Sequence, residues 1–370
     1  MNECLSVRRG VADDVERVLL MFDHSRQLMR ASGNDGQWVG YPTRRDVEDD
    51  LASGSLHVVE CNGRAVGCFS LVDGIDPNYG FIEHGRWLDR RSSYFTIHRL
   101  ACNGEARGVA AAAFDFAKRH CSYLRADTHR LNVAMLHILE KEGFVRSGMV
   151  YMADGGAREA FEWWRFDEVR ADLRSFVEDE IIPLYDSFDV AHGRAHARRV
   201  MARAMLLAVT MDVDPEMVFV AAAMHDVGLG VGRAEHHLES ARIIRSDRRL
   251  ARWFSEKEIE VIAQAAADHR ASASEPPHTI YGCIVAEADR DIEPETIVWR
   301  TVRYGLDHYP HLDREQHWQR ALTHLKEKYG RGGYLQLWLP TSPNAEPLDE
   351  LRRLIDDEHS LRLLFNSFMP

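Results

Sequence analysis

The spacing of apolar residues changes once along this chain, near Asp167. Before that point, short β-rich runs alternate with segments of helical period, whereas after it nearly every apolar run repeats at the helical period. A lasting change of period usually marks a domain boundary, and 370 residues are enough for two domains of ordinary size. We therefore predict two domains, an α+β domain over residues 1–166 and an all-α bundle over residues 167–370.

Charge and composition narrow the class of partner. The chain carries 46 Lys and Arg against 58 Asp and Glu, a formal charge of −12, which disfavours a long nucleic-acid backbone. No apolar run approaches the ~20 residues of a membrane span, and residues 1–9 lack a signal-peptide pattern. The six cysteines include no C-x-x-C pair, as expected of free thiols. We expect a cytoplasmic protein that stays out of membranes and acts on small molecules.

The first half contains a hairpin and a glycine-bearing loop. Asn62-Gly63 is its strongest hairpin signal, because a two-residue turn needs residues that tolerate a positive φ. We predict strands over Leu56–Cys61, Arg64–Val72 and Tyr94–Cys102. The last strand runs into NGEARGVAAAAFDFAKRH, where a glycine loop opens an alanine-rich helix. Such a helix start presents unpaired N–H groups, which can hold a pyrophosphate without a lysine.

This order of elements, with Asp127, Asn132 and Gly143-Phe144 after it, resembles the GNAT family of N-acetyltransferases. The resemblance implies an α+β fold with a mixed sheet, acetyl-CoA as cofactor and an amine as acceptor. It also implies that the third strand contacts the pantetheine arm, that the loop cradles the pyrophosphate and that Asn132 lies near the thioester. The residues implied in cofactor binding are Leu100, Cys102, Glu105, Arg107, Gly108, Ala110 and Asn132.

Two positions depart from the pattern of that family. Glu105 stands where Gln or Arg is usual, and Leu139 stands where many members carry a general-acid tyrosine. An alternative is therefore a first half that binds acetyl-CoA as a sensor without transferring the acetyl group. If transfer does occur, His84, His98 and His129 are candidate bases, although each is also interpretable as a surface or packing histidine.

Histidine is concentrated in the second half, which holds 12 of the 19 in the chain, and histidine is the commonest metal ligand. His192 and His196 are four residues apart, which predicts that both lie on one face of a helix over Val190–Ala208. His225 and Asp226 interrupt the apolar run VFVAAAMHDVG, where ionisable side chains are costly unless they are paired or bind metal. The pattern indicates a metal site between helices.

The ordered set His196, His225-Asp226 and Asp289 resembles the HD superfamily of metal-dependent phosphohydrolases. The resemblance implies that these four side chains hold one divalent cation. A donor set of nitrogen and oxygen suits Mn, Mg, Fe or Co better than a thiolate-rich zinc site does. A bound cation neutralises phosphate oxygens and lowers the pKa of its water, which is the chemistry that phosphoester hydrolysis needs.

Two further histidines leave the number of ions open. On the resemblance, His236 and His269 occupy the positions that hold a second ion in binuclear members, with the aspartate of the HD pair as the bridge. His269 is alternatively a histidine favoured by a helix C-terminus, and Asp289 alternatively pairs with Arg290 or Arg270. The metal-ligand candidates are His196, His225, Asp226, Asp289, His236 and His269, and the catalytic candidates are His225, Asp226 and His269.

These observations predict a bifunctional protein. Its GNAT-like half would transfer an acetyl group from acetyl-CoA to an amine, and its HD half would hydrolyse a small phosphoester, with a nucleotide favoured. The alternative is an acetyl-CoA sensor that regulates an HD phosphodiesterase or nuclease. The sequence gives no indication of oligomeric state.

Overall fold

The computed structural model describes residues 5–89, 92–232, 234–270 and 275–370. The chain divides into two compact units, Met1–Asp167 and Glu168–Pro370. The five cysteines in the described ranges are free thiols, and Cys4 lies outside those ranges.

The first unit is built on a mixed sheet of seven strands among its described residues. The strands are β1 (Leu5–Arg9), β2 (Leu56–Cys61), β3 (Arg64–Asp73), β4 (Phe95–Cys102), β5 (Tyr123–Thr128), β6 (Val145–Tyr151) and β7 (Ala157–Trp164). The helices are α1 (Val15–Ala31), α2 (Arg44–Ser53), α3 (Val109–His120) and α4 (Val133–Lys141). The strand order is β1-β2-β3-β4-β5-β7-β6, and neighbours are antiparallel except β4 and β5. The predicted α+β fold with a mixed sheet is confirmed.

Strands β2 and β3 form the predicted hairpin. Asn62 and Gly63 both have positive φ, 51° and 75°, and Cys61 pairs with Arg64 across the turn. A two-residue loop of this kind matches the right-handed twist of the strands that it joins. Along β2, Val58 and Val59 pack into different apolar clusters, one with α1 and α2 and one with α3. Because successive side chains point to opposite faces of a strand, both faces of the sheet are covered.

Strands β4 and β5 separate soon after they meet. Their parallel pairing comprises Phe95 with Leu124 and Thr96 with Arg125. Beyond that point the two strands diverge, so the peptide groups that follow on β4 do not pair with those that follow on β5. A bulge adds to the distortion, because Arg99 has a φ of 54° and the register with β3 shifts opposite it. The sheet is therefore open at this point.

A buried ion pair holds the bulge in place. The Arg99 guanidinium donates to both carboxylate oxygens of Asp50, and its Nε lies 2.7 Å from Asp50 Oδ2. Ser70 on β3 donates to the same carboxylate. A left-handed conformation is costly for an arginine, so the bulge depends on these contacts.

The second unit is helical throughout its described residues. Its helices are α5 (Ala171–Phe176), α6 (Arg194–Ala208), α7 (Pro215–Met224), α8 (His236–Ser246), α9 (Glu256–Asp268), α10 (Ile280–Asp289), α11 (Pro294–His308), α12 (Arg314–Tyr329), α13 (Ala345–Asp356) and α14 (Glu358–Phe368). Helix α7 is buried on every side from Met217 to Met224, as expected of a helix that is apolar all round. Trp318, Leu351 and Phe365 belong to a separate apolar cluster formed by α11 to α14. The predicted helical second half is confirmed.

Across the part of the chain that the structure describes, no single helix is long and apolar enough to cross a membrane. A bent pair, Pro215–Val231 with His236–Ser246, meets the requirement on length and composition alone.

Candidate metal centre and cavity

The HD pair lies directly after the buried helix α7. His225 is fully buried and Asp226 is 3% exposed. Because α7 ends at Met224, the chain turns here and Asp226 can face side chains from other helices. The His225 Nδ1 lies 2.8 Å from the carbonyl of Ala222, which orients the imidazole ring.

Three side chains meet on one side of Asp226. Together with Asp226 we call them the first cluster: His196, His225, Asp226 and Asp289. His196 comes from α6 and Asp289 from the end of α10. The Nε2 atoms of His196 and His225 are 3.2 Å apart, and they lie 3.7 and 3.4 Å from Asp226 Oδ2. Asp289 Oδ1 lies 3.3 Å from His196 Nε2 and 3.8 Å from His225 Nε2. The structure thus brings together residues from three separate parts of the sequence.

The second cluster, Asp226, His236 and His269, uses the other oxygen of the same aspartate. His236 opens α8, and His269 follows the last residue of α9. Their Nε2 atoms are 3.1 Å apart and lie 3.2 and 3.3 Å from Asp226 Oδ1. Asp226 therefore belongs to both clusters, one through each carboxylate oxygen.

The hydrogen bonds of the histidine rings indicate whether the two clusters can accept cations. The Nδ1 atoms of His225 and His269 lie 2.8 and 2.6 Å from main-chain carbonyls, so each carries a hydrogen on Nδ1 and turns Nε2 toward its cluster, where that nitrogen can hold either a proton or a cation. Asp226 Oδ1 is buried and accepts no hydrogen bond. Lone pairs that face one another in a buried site are unfavourable unless a cation or proton lies between them.

The spacing also fits a cation. Two donors bound at about 2.1 Å to one ion lie about 3.0 to 3.4 Å apart at octahedral or tetrahedral angles. The closest donor separations in both clusters fall in this range. The donors present are therefore compatible with a divalent cation in each cluster.

One histidine and both carboxylates of the first cluster have pKa values that are shifted by their neighbours. Burial alone would lower the pKa of His225, but Asp226 and Asp289 raise it to about 9. Burial would likewise raise the pKa of Asp226, yet the neighbouring histidines hold it well below its usual range. The pKa of Asp289 is also held below its usual range, by His196 above all, against the effect of burial. Both carboxylates are ionised at neutral pH and attract positive charge.

Among the residues that the structure describes, Asp289 does not form the alternative ion pair with Arg290 or Arg270. Arg290 turns to Glu287, 2.8 Å away, and Arg270 donates to the carbonyl of Ala234. The neighbour of Asp289 is His196.

One sequence prediction about this region is wrong. The predicted helix over Val190–Ala208 begins at Arg194, because Gly193 is extended, with a ψ of −174°. His192 lies in a short 3-10 turn before it and contacts Asp189, with 2.8 Å between Nδ1 and Oδ1. His192 and His196 therefore do not share one helix, although their ring centroids lie 5.8 Å apart.

Three cationic side chains of the helical unit contact carboxylates. Arg194 pairs with Asp186, and Arg199 lies 3.4 Å from a carboxylate oxygen of Asp291. The ammonium of Lys326 contacts Glu358.

Glu287, to which the sequence assigned no role, anchors the helix that carries Asp289. Glu287, 1% exposed, lies two residues before Asp289 on α10. It accepts hydrogen bonds from the Trp338 main chain and from the Ser342 hydroxyl, both at 2.5 Å. These contacts fix α10 to the segment before α13. The signal was present, since Glu287 is an acidic residue within the apolar run IVAEA.

The first unit contains a cavity of about 770 Å³ at the open part of its sheet. Residues of β4 and β5 line it, and so do residues at the start of α3 and on α4. Of the predicted cofactor residues, the cavity lining includes Leu100, Cys102, Ala110 and Asn132. Glu105, Arg107 and Gly108 are not part of that lining and lie in the exposed loop before α3.

The start of α3 leaves its N–H groups available. Its N-cap is Gly108, which has a φ of 78° and no side chain to accept a hydrogen bond from the helix. Leu139 is 1% exposed and packs in the apolar core, so it takes a structural place where the family pattern has a tyrosine.

Residues 194–292, which span α6 to α10, match the sequence model of the HD domain. None of the curated proteins matches the chain. Among solved structures, a GNAT-family acetyltransferase from Streptococcus agalactiae 2603 is 28% identical, with a TM-score of 0.41 over 44% of this chain and 96% of that one. A GNAT-family acetyltransferase from Bacillus cereus ATCC 10987 is 16% identical, with a TM-score of 0.31 over 44% and 99%. A NatC complex bound to a Gag peptide and CoA is 16% identical, with a TM-score of 0.29 over 44% and 99%.

The two kinds of match concern different parts of the chain. The chain carries an HD domain within its helical second unit, and its first unit is similar to GNAT acetyltransferases.

Proposed function

We propose that the helical unit is a metal-dependent phosphohydrolase. The observation that carries this proposal is the convergence of four histidine Nε2 atoms on the two oxygens of Asp226, with the carboxylate of Asp289 beside the first cluster. His196, His225 and Asp289 would hold one divalent cation with Asp226 Oδ2, and His236 and His269 would hold a second with Oδ1. When bound, such cations neutralise phosphate oxygens and lower the pKa of a coordinated water.

The protein itself supplies orientation and charge. The carbonyl contacts of His225 and His269 fix the tautomer that turns Nε2 inward, so these rings need not reorient to bind. Asp226 links the two clusters and would hold the ions at a fixed separation. The nitrogen and oxygen donors favour Mn, Mg, Fe or Co, and the acidic chain favours a small phosphoester such as a nucleotide over a long nucleic acid.

The test is hydrolysis by full-length protein loaded with Mn²⁺. Nucleoside mono-, di- and triphosphates, cyclic nucleotides and single-stranded RNA are compared. We expect cleavage of a nucleotide, loss of activity in Asp226→Asn and retention in Asp186→Asn, an exposed carboxylate that pairs with Arg194. Cleavage of RNA alone would support the nuclease alternative, and no hydrolysis by the metal-loaded protein would contradict the proposal.

We propose that the first unit binds acetyl-CoA where β4 and β5 separate. Unpaired peptide groups on both strands can pair with the amides of an extended pantetheine arm. The uncapped start of α3 offers N–H groups to the pyrophosphate.

Transfer to an amine is the function that the cavity favours, because it extends past Asn132 to polar side chains on β4, β5 and the turn between β6 and β7. The alternative is a sensor that binds acetyl-CoA without turnover. Calorimetry with acetyl-CoA measures binding, and release of free CoA thiol in the presence of amines measures transfer. Binding with transfer supports the acetyltransferase, binding without transfer supports the sensor, and no binding contradicts both.

A further inference from the structure

The lining of the cavity is acidic. Three carboxylates line it, namely those of Asp76, Asp127 and Asp154. Two guanidiniums also line it, but Arg99 is neutralised by its buried pair with Asp50. Three carboxylates therefore face one remaining guanidinium, that of Arg158, and the balance of charge favours a cationic ligand.

One of these carboxylates is joined to a histidine that also lines the cavity. His98 Nε2 lies 2.8 Å from Asp76 Oδ2, and the side chain of His98 is 20% exposed. Asp76 is itself fixed, since its Oδ1 accepts from the main chain of Asn78 at 2.8 Å. Although burial would raise the pKa of Asp76, the contact with His98 and the hydrogen bonds from Asn78 hold it below its usual range. Asp76 is thus an acceptor for a hydrogen on His98 Nε2.

The consequence concerns the other ring nitrogen. With the hydrogen on Nε2, neutral His98 carries a lone pair on Nδ1, and this atom has no hydrogen-bond partner in the described parts of the chain. A histidine oriented by a carboxylate, with its second nitrogen available beside a cavity, has the arrangement of a general base.

The other groups around His98 do not compete for this role. The ring of Tyr79 lies 6.3 Å from that of His98, and its hydroxyl donates to Asp127 at 2.8 Å. Burial, followed by the charge of Asp127, raises the pKa of Tyr79 well above its usual value, so it stays neutral. Arg99, the residue next to His98 on β4, forms an ion pair with Asp50.

We propose that the acceptor end of this cavity takes an aliphatic diamine, with His98, positioned by Asp76, as the base that deprotonates the reacting ammonium. The distal ammonium would lie among the remaining carboxylates, Asp127 and Asp154. This inference rests on the proposed binding of acetyl-CoA in the same cavity.

The reaction is balanced as follows. His98 Nδ1 takes a proton from the ammonium and later releases it to solvent. The neutral amine attacks the thioester carbonyl, a C–N bond forms and the C–S bond breaks. The second proton lost by the nitrogen ends on the CoA sulfur, so that ammonium and acetyl-CoA give N-acetylamine, CoA thiol and one proton.

The first experiment compares two acceptors of equal length on the full-length protein. Cadaverine carries a second ammonium, and 5-aminopentanoate carries a carboxylate in its place. We expect kcat/KM at least ~10-fold higher for cadaverine, because the distal charge faces Asp127 and Asp154. Equal values, or a preference for 5-aminopentanoate through Arg158, would overturn the assignment of a diamine.

The second experiment separates His98 from its surroundings. His98→Asn should lower kcat for cadaverine about 100-fold or more, with acetyl-CoA affinity unchanged. The exposed His137→Asn, on α4, is the matched control and should behave as wild type.

Asp76→Asn tests the positioning residue. Asp76→Asn should reduce kcat for cadaverine by less than His98→Asn does, and Asp76→Glu, which keeps a carboxylate, should retain more of kcat than Asp76→Asn, whereas equal loss in both variants would indicate a purely structural role. If acetyl-CoA binds but cadaverine is not acetylated, or if His98→Asn keeps wild-type kcat, this inference is overturned while the proposed binding stands. If acetyl-CoA does not bind, the proposed function itself fails.

Discussion

The two units build their candidate sites from different parts of the chain. In the helical unit, side chains from three helices, from the residue after α9 and from the HD turn meet around one aspartate. In the sheet unit, the cavity arises where two parallel strands part, and much of its binding capacity lies in main-chain groups. A site of side chains is sensitive to single substitutions of its ligands, whereas a site of backbone groups is sensitive to changes in φ and in N–H donors.

Two buried carboxyl groups, one in each unit, also differ in their pKa. Asp226 is ionised because histidines surround it, and the pKa of that carboxyl is held well below its usual range. Glu162, on β7, is fully buried, and burial raises its pKa to about 7 although Ser147, Tyr123 and the Leu88 main chain donate to it. The first arrangement suits a cation, and the second suits a neutral carboxylic acid.

The largest effect is expected for loss of a shared metal ligand. His225→Ala should lose most bound metal and reduce phosphohydrolysis at least ~100-fold, since loss of a mere supporting residue already costs 10- to 100-fold. Metal analysis and phosphate release on the folded variant check this. Unchanged metal content in a folded variant would contradict the site.

The next effect concerns the backbone-built site. Gly108→Pro cannot adopt a φ of 78° and removes an N–H group, so acetyl-CoA affinity should fall more than ~10-fold. Glu105→Gln should instead tighten binding up to ~2-fold, because it removes an exposed negative charge near the phosphates. Calorimetry on the three proteins checks this, and equal affinity in all three would refute the site.

A smaller effect is expected from Glu162. Its folded-state pKa of about 7 exceeds its unfolded value of about 4.3, so the folded state binds more protons and stability should fall as pH rises between these values. The loss should be on the order of 1–3 kcal/mol. Hydrogen exchange of β5 amides from pH 5 to 7.5 measures it. Glu162→Gln should flatten the slope, and exposed Glu140→Gln should not; a slope unchanged in Glu162→Gln would contradict the assignment.

The smallest effect is expected for His192→Ala. Because His192 contacts Asp189 and lies before α6, bound metal should change by less than ~20%. A loss as large as that of His225→Ala would place His192 among the ligands and contradict the geometry.

The sequence predicted the elements whose signals are local. Asn62-Gly63 specified its hairpin, and the apolar run before His225 specified a buried helix. The spacing of His192 and His196 misled, because a glycine between them starts the helix later than the periodicity alone indicates.

Long-range contacts were not readable in the same way. The contact of Asp76 with His98 joins a turn to a strand 22 residues later, and no local pattern marks it. The separation of β4 from β5 depends on a bulge held by Asp50, which pairs with Arg99 at 49 residues' distance. The metal candidates could be named in advance through a resemblance in their order, not through their spacing.

The number of ions is the central claim, and elemental analysis of the purified full-length protein tests it most directly. The geometry predicts that wild type approaches two equivalents of divalent metal at saturation. It also predicts that a double variant, His236→Ala with His269→Ala, falls to about one equivalent, because Asp226 Oδ1 then has no histidine partner. A wild-type protein that saturates at one equivalent, with the same value in the double variant, would contradict the account and leave these histidines to substrate binding or packing.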